Sequence, residues 1–289
     1  MGLLPVYSAA QPDPVESRRL ADGFSIEATP KQLEASGSLA GHVPPGTCVY
    51  VPYLPRATMA DTIRACRQLA AEGFRAVPHV SARSIASREM LDEQLDRLAE
   101  AGASSLLLIA GDRRRPAGPF RSTLDVFDTG LLQTHGFDDI GVAGHPEGHP
   151  VADAPALMDA LRRKAAYASD TGAAMWIVTQ FAFSAEPVID WLGQLRSEGI
   201  RLPVRIGLPG PAKAQTLLRY ALQCGVGASS RILARRPDAV THLLGRWTPE
   251  AMLAALSRYR AESPAAGIAG IHVFPFGGLM KSIDFFTDP

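Results

Sequence analysis

The sequence predicts a closed barrel of eight parallel strands wrapped by helices, a (β/α)8 TIM barrel, and three observations carry that expectation. Eight short apolar runs recur along the 289 residues: Phe24–Ala28, Cys48–Tyr53, Ala76–Ser81, Ser105–Gly111, Ile140–Gly144, Met175–Phe181, Val204–Leu208 and Gly270–Phe276. Strands buried on both faces read as such unbroken runs. Longer segments with helical spacing lie between them. Finally, Gly73, Gly102, Gly172 and Gly199 each sit just past a helix end, where a left-handed residue closes the helix, and a strand follows within a few residues.

Taken in order, residues 1–20 read as an arm. Met1–Arg18 holds three prolines and lacks the basic-then-apolar layout of a signal peptide. The catalytic barrel is expected over residues 21–289. Helices are expected at Met59–Glu72, Ser87–Ala101, Ala154–Thr171, Ala185–Glu198, Pro211–Gln223 and Pro249–Ser263. In the second of these, Leu91, Leu95 and Leu98 form an apolar stripe that faces a sheet. The long gap between Leu208 and Gly270 leaves room for extra helices before the last strand, over Gly225–Trp247. An open doubly wound sheet is the alternative, weakened by the missing Gly-rich nucleotide turn after the first strand.

Composition narrows the class of function. The 29 basic and 29 acidic residues cancel, which gives no reason to expect nucleic acid or an anionic membrane as partner. No apolar stretch approaches the ~18–20 residues of a membrane span. Cys48, Cys66 and Cys224 are far apart and form no CxxC pair, so reduced, mostly buried thiols in a cytoplasmic protein are expected. Oligomeric state is open, a homo-oligomer included.

Several runs end on a lone polar residue, and in a barrel those ends crowd onto the face where chemistry is done. Glu27 closes the first run. There a partly desolvated carboxyl suits general acid work, and an ion pair with a nearby Arg or Lys is the other reading. His79 closes the third, either as a site residue or as a hydrogen-bonded core imidazole. Asp112 follows Gly111, where a ligand can approach the backbone; a simple turn Asp is the alternative. Arg113–Arg115 could grip a diphosphate or form a solvated loop. In Ala143-Gly-His-Pro-Glu-Gly-His-Pro150, the two prolines forbid the helix that an HExxH zinc site needs, so no metal is assigned to His145, Glu147 and His149. Gln180, beside Phe181, suits a heteroaromatic ring or a satisfied amide inside the barrel.

These stretches resemble the methylenetetrahydrofolate reductases, flavin-dependent barrel enzymes of one-carbon metabolism. The matching segments run in order: Ser25-Ile-Glu27, Pro78-His79, Gly111-Asp112, Ala143 to Pro150, Lys164, Thr179-Gln-Phe181 and Ile271-His-Val-Phe274. The resemblance implies FAD at the mouth, contacted by His79, Gly111, Asp112, Ala143, His145, His149 and Lys164. It implies NADH or NADPH as co-substrate and a folate substrate held by Gln180, Phe181 and Phe274, with Asp112 also on the pterin. Glu27 and Asp112 are then the catalytic pair, with Glu27 protonating the folate ring nitrogen as the one-carbon bridge opens. The same reaction run backwards would oxidise methyl-folate. The chain also departs from the family pattern: Ala110 replaces an Arg, His145 a Tyr, and Leu157, Met158 and Ala160 replace polar residues. Phe274 and Pro275 stand for Tyr and Thr, and Gly277 or Gly278 stands for a late Arg. Two other readings stay open on sequence alone: direct hydride transfer from nicotinamide without FAD, and a non-catalytic folate-binding barrel.

Overall fold

The structure is a computed structural model that describes residues 20–55, 57–150, 152–224 and 246–287. Its centre is a closed, all-parallel barrel. The strands are β1 (Ser25–Glu27), β2 (Cys48–Val51), β3 (Arg75–Ser81), β4 (Ser105–Ile109), β5 (Asp139–Gly144), β6 (Ala174–Phe181), β7 (Val204–Pro209) and, after a short antiparallel pair β8 (Ala212–Lys213) and β9 (Arg246–Trp247), β10 (Ile268–Phe274). Each barrel strand pairs with its sequence neighbour, and β10 closes the circle between β7 and β1.

The period-2 alternation of a strand explains why the barrel has two cores. Side chains such as Ile26, Val49, Val51, Leu106, Leu108, Ile206 and Ile271 point outward and pack under the helices in one continuous cluster. Tyr50, Val77, Leu107 and Val178 point inward and fill the barrel, with Trp176 against them. The indole fits because Gly141 faces it: a Cβ there would lie 2.9 Å from the ring. Trp176 Nε1 donates to the Tyr50 hydroxyl at 2.8 Å, so the buried polar atoms satisfy one another. Burial pushes the Tyr50 phenol far above its ordinary pKa.

The expected helices form with shifts of a residue or so at most ends, at Met59–Ala71, Arg88–Glu100, Ala154–Thr171, Ala185–Ser197 and Glu250–Glu262. Their starts have chemical causes. Thr58 and Asp61 make a reciprocal capping box, and the side chains of Ser87 and Asp153 accept from Met90 N and Ala156 N. Gly73, Gly102, Gly172 and Gly199 all have φ between 76° and 86°, the left-handed turn that their position requires. The helix expected from Pro211 starts later, at Ala214, because Ala212–Lys213 is spent on β8. Short helices at Pro30–Ser36, Thr123–Phe127, Leu131–Thr134 and Leu279–Thr287 were not legible as periodic segments. The N-terminal arm, and all but Arg246–Trp247 of the region expected to hold extra helices, lie outside the described residues. Among those described, no helix is long and apolar enough to cross a membrane.

Candidate active site

Barrel closure brings β1, β3 and β10 together at their carboxyl ends, and with them Glu27, His79 and His272. Glu27 Oε1 lies 3.7 Å from His79 Nε2 and 3.7 Å from His272 Nε2. The Glu27 side chain is 18% exposed, while His79 is 8% and His272 0%. Among the described residues, the carboxylate therefore has imidazoles rather than an Arg or Lys as its near charged or chargeable neighbours. Both Nε2 atoms are buried and lack a hydrogen-bond partner among the described residues. Burial, only partly opposed by Glu27, brings the His79 pKa down to about 4. His272 is tied down at its other end, with Nδ1 3.0 Å from Ser25 Oγ. Tyr50 packs edge-on against both rings, at centroid separations of 6.1 Å to His79 and 4.4 Å to His272.

Gln180 reaches the same mouth through an irregularity in β6. The β6–β7 register shifts between Val178 and Phe181, where Thr179 Oγ1 accepts from Gly207 N at 2.8 Å and donates to the Gln180 carbonyl. The Gln180 amide nitrogen is left buried without a partner. Around it stands a set of aromatic rings: Phe181 packs edge-on against Phe274 and Phe276, and Tyr220 stacks on Phe276 at 4.2 Å. Phe274 also meets His272 edge-on at 4.9 Å.

A second hollow, about 160 Å³, opens beside this mouth between the loops after β3, β4 and β5 and the helix Ala154–Thr171. That helix buries Met158, Leu161 and Lys164 along one face. Lys164 is only 7% exposed and lines the hollow with Arg83, Arg121, His145 and His149. Desolvation brings its ammonium pKa down to about 8. The His145 and His149 rings meet edge-on at 4.9 Å, and burial takes the His145 pKa down to about 3. Ala143 lines the same space. A buried lysine lining one hollow with two arginines, with no carboxylate among the lining residues, fits an anionic group such as the diphosphate of a dinucleotide.

The chain matches the methylenetetrahydrofolate reductase family over residues 42–238, more than half its length. It belongs to that family. Methylenetetrahydrofolate reductase 1 of Schizosaccharomyces pombe is 30% identical over 149 residues, 48% of this chain and 24% of that protein. Methylenetetrahydrofolate reductase 2 of Saccharomyces cerevisiae is 27% identical over 142 residues, 46% of this chain and 23% of that protein. The matches therefore span about a quarter of those relatives' length. Among solved structures, an uncharacterized protein from Clostridium thermocellum that binds two copies of 5-methyl-5,6,7,8-tetrahydrofolic acid shares the fold. The TM-score is 0.57 at 11% identity, covering 94% of this chain and 97% of that one.

Within the reductase family frame, the departures from pattern acquire physical reasons. Leu157 and Ala160 face the hollow, whereas Met158 is buried in the core under the helix. No Arg fits at Gly277, where even a Cβ would lie 1.9 Å from the Pro211 carbonyl oxygen. The cations that face the hollow come from elsewhere. Arg113–Arg115 are exposed, as is Asp112. Arg83, whose Nε donates to the Arg121 carbonyl at 2.7 Å and so pins the loop, lines the hollow with Arg121. Gly111 has φ 86° and packs so close to Ser81 Oγ that a Cβ would sit 2.1 Å away. Its glycine is required by the turn itself. Sequence reading missed His272, Arg83 and Arg121. The first was findable, since it lies two residues before Phe274 and so shares its inward face; Arg83 sits in a single 3-10 turn and Arg121 on a loop, neither with a periodic signal.

Proposed function

We propose that this barrel reduces 5,10-methylenetetrahydrofolate to 5-methyltetrahydrofolate, with NADH or NADPH as the hydride source and FAD as resident cofactor. The observation that carries the reading is the pairing, in a chain of the reductase family, of a carboxyl group held between two imidazoles with the orphaned amide of Gln180 at one barrel mouth. That a protein of the same fold binds a reduced folate supports the ligand class.

In this reaction a hydride reduces the one-carbon bridge and a proton goes to the ring nitrogen whose C–N bond breaks. Glu27, protonated, holds that proton beside the pterin, where exclusion of bulk water strengthens its hold on the substrate. The Gln180 amide N–H donates to an acceptor on the pterin edge. Phe181 and Phe274 offer ring faces and edges to the heterocycle and keep water out. FAD, when bound, supplies the hydride-carrying ring. Lys164, Arg83 and Arg121 would hold its phosphates, Ala143, His145 and His149 would line the same hollow, and His79, Gly111 and Asp112 complete the expected set.

One observation favours a second reading, direct transfer from nicotinamide to folate. The hollow beside Lys164 measures about 160 Å³, with apolar walls at Ala110, Leu157 and Ala160, and typical ligand pockets run to ~300–1,000 Å³. An absorbance spectrum of purified protein separates the two. A retained flavin band, bleached by NADH and restored by methylenetetrahydrofolate under anaerobic conditions, is the expected result. Folate-dependent NADH oxidation by flavin-free protein would establish direct transfer. Absence of both would refute reductase activity.

A further inference from the structure

Two polar groups around Glu27 are unexplained by the fold and have no part in the proposed chemistry so far. Ser25 and His272 face each other across the β1–β10 seam, in register, and both are fully buried. A buried Ser–His pair inside an apolar barrel has no structural need that two aliphatic residues would not meet. The His272 Nε2 atom, moreover, is left without a partner while aimed at Glu27 Oε1.

The hydroxyl of Ser25 has one proton and two acceptors within reach: His272 Nδ1 at 3.0 Å and the Ile271 carbonyl at 3.3 Å. The nearer acceptor is Nδ1. An imidazole that accepts at Nδ1 carries its proton on Nε2. His272 is then a donor aimed at one oxygen of Glu27, the same oxygen that His79 Nε2 approaches. The other groups packed on this cluster are Tyr50, whose hydroxyl accepts from Trp176, and the ring of Phe274. The Tyr50 hydroxyl is engaged by Trp176 and Phe274 has no polar atom on its ring, so neither competes for Oε1. Hydrogen bonds in unliganded sites are often long and tighten when the ligand arrives, so a gap of 3.7 Å suits a donor waiting for that closure.

We infer that Ser25 and His272 form a positioning pair for Glu27: Ser25 fixes His272 as the Nε2–H tautomer, which holds Oε1 and leaves Oε2 as the oxygen that carries the proton to the substrate. The inference rests on the folate-reductase reading for its role in catalysis, but the tautomer itself does not. His272 acts through Glu27 and is a positioning residue.

The test combines ¹⁵N NMR of histidine-labelled protein with kinetics of Ser25→Ala. His272 signals, assigned by their loss in His272→Gln, are expected to report the Nε2–H tautomer in the wild type and a mixture in Ser25→Ala. In turnover, Ser25→Ala should lower kcat for folate reduction roughly tenfold, short of the ~10²–10⁴-fold that losing the acid itself would cost. It should shift the acid limb of the pH profile and leave the folate KM and the NADH half-reaction unchanged. An Nδ1–H tautomer in the wild type, or a Ser25→Ala enzyme with the wild-type pH profile and kcat, overturns the inference. A wild type with the Nε2–H tautomer but no folate turnover sinks the proposed function while supporting the pair's geometry.

Discussion

His79, His145 and Lys164 show how burial sets the chemistry available at each residue. His79 titrates near pH 4 and His145 near pH 3 in the fold, against an ordinary value of 6.5. Below pH 6.5 the unfolded chain takes up protons that the folded protein refuses, so these groups make stability fall as pH drops towards 4 and then 3. Above pH 6.5 they contribute no slope. For His79 alone the loss is on the order of 3 kcal/mol, and urea melts at pH 7 and pH 4.5 should show a smaller drop in His79→Gln than in the wild type. Lys164 is lowered in the same direction, and its consequence falls on ligand binding. Its ammonium, with a pKa near 8, is charged at pH 7 and lost by pH 9.5, so NADH or FAD binding should weaken over that window. Lys164→Met should bind at least about tenfold more weakly at pH 7, as expected for one charge-assisted contact of ~1.5–3 kcal/mol. It should also lose the pH dependence, which titration calorimetry would read directly.

At the level of elements, glycine positions separate turns from packing. Gly277 sits after β10 against the Pro211 carbonyl, and Gly277→Ala forces backbone to move; overpacking of this kind costs ~1–3 kcal/mol. Gly193, exposed within the helix Ala185–Ser197, has nothing within 4 Å of its would-be Cβ. Gly193→Ala should therefore stabilise by about 0.5–1 kcal/mol, and opposite shifts in denaturation midpoint are the expected pair of results. The same contrast shows what sequence could and could not reveal. Runs and closing glycines made all eight barrel strands and six helices legible, because burial on both faces and left-handed caps leave local signatures. The helix Thr123–Phe127 and the β8–β9 pair are too short to build a period, and β8 captured the start of a helix that spacing alone placed earlier.

For the whole molecule, closure does what no local pattern can. Glu27 and His272 lie outside the span that matches the reductase family, at residues 42–238, and 245 residues separate them in the chain. Only the pairing of β1 with β10 sets their side chains 3.7 Å apart. The expectation that run-end residues share one face was legible from topology, while the partner of Glu27 was not, because cross-strand register is written in no single segment. The hollow's cations were equally hidden. Arg83 comes from the 3-10 turn after β3 and Arg121 from a separate loop, and the obvious arginine run, Arg113–Arg115, stays in solvent.

The most direct measurement separates the two half-reactions in Glu27→Gln by anaerobic stopped flow. If Glu27 is the acid for folate, reduction of enzyme-bound flavin by NADH stays near the wild-type rate, while its reoxidation by methylenetetrahydrofolate falls ~10²–10⁴-fold. Equal losses in both half-reactions, or none in either, would contradict that role.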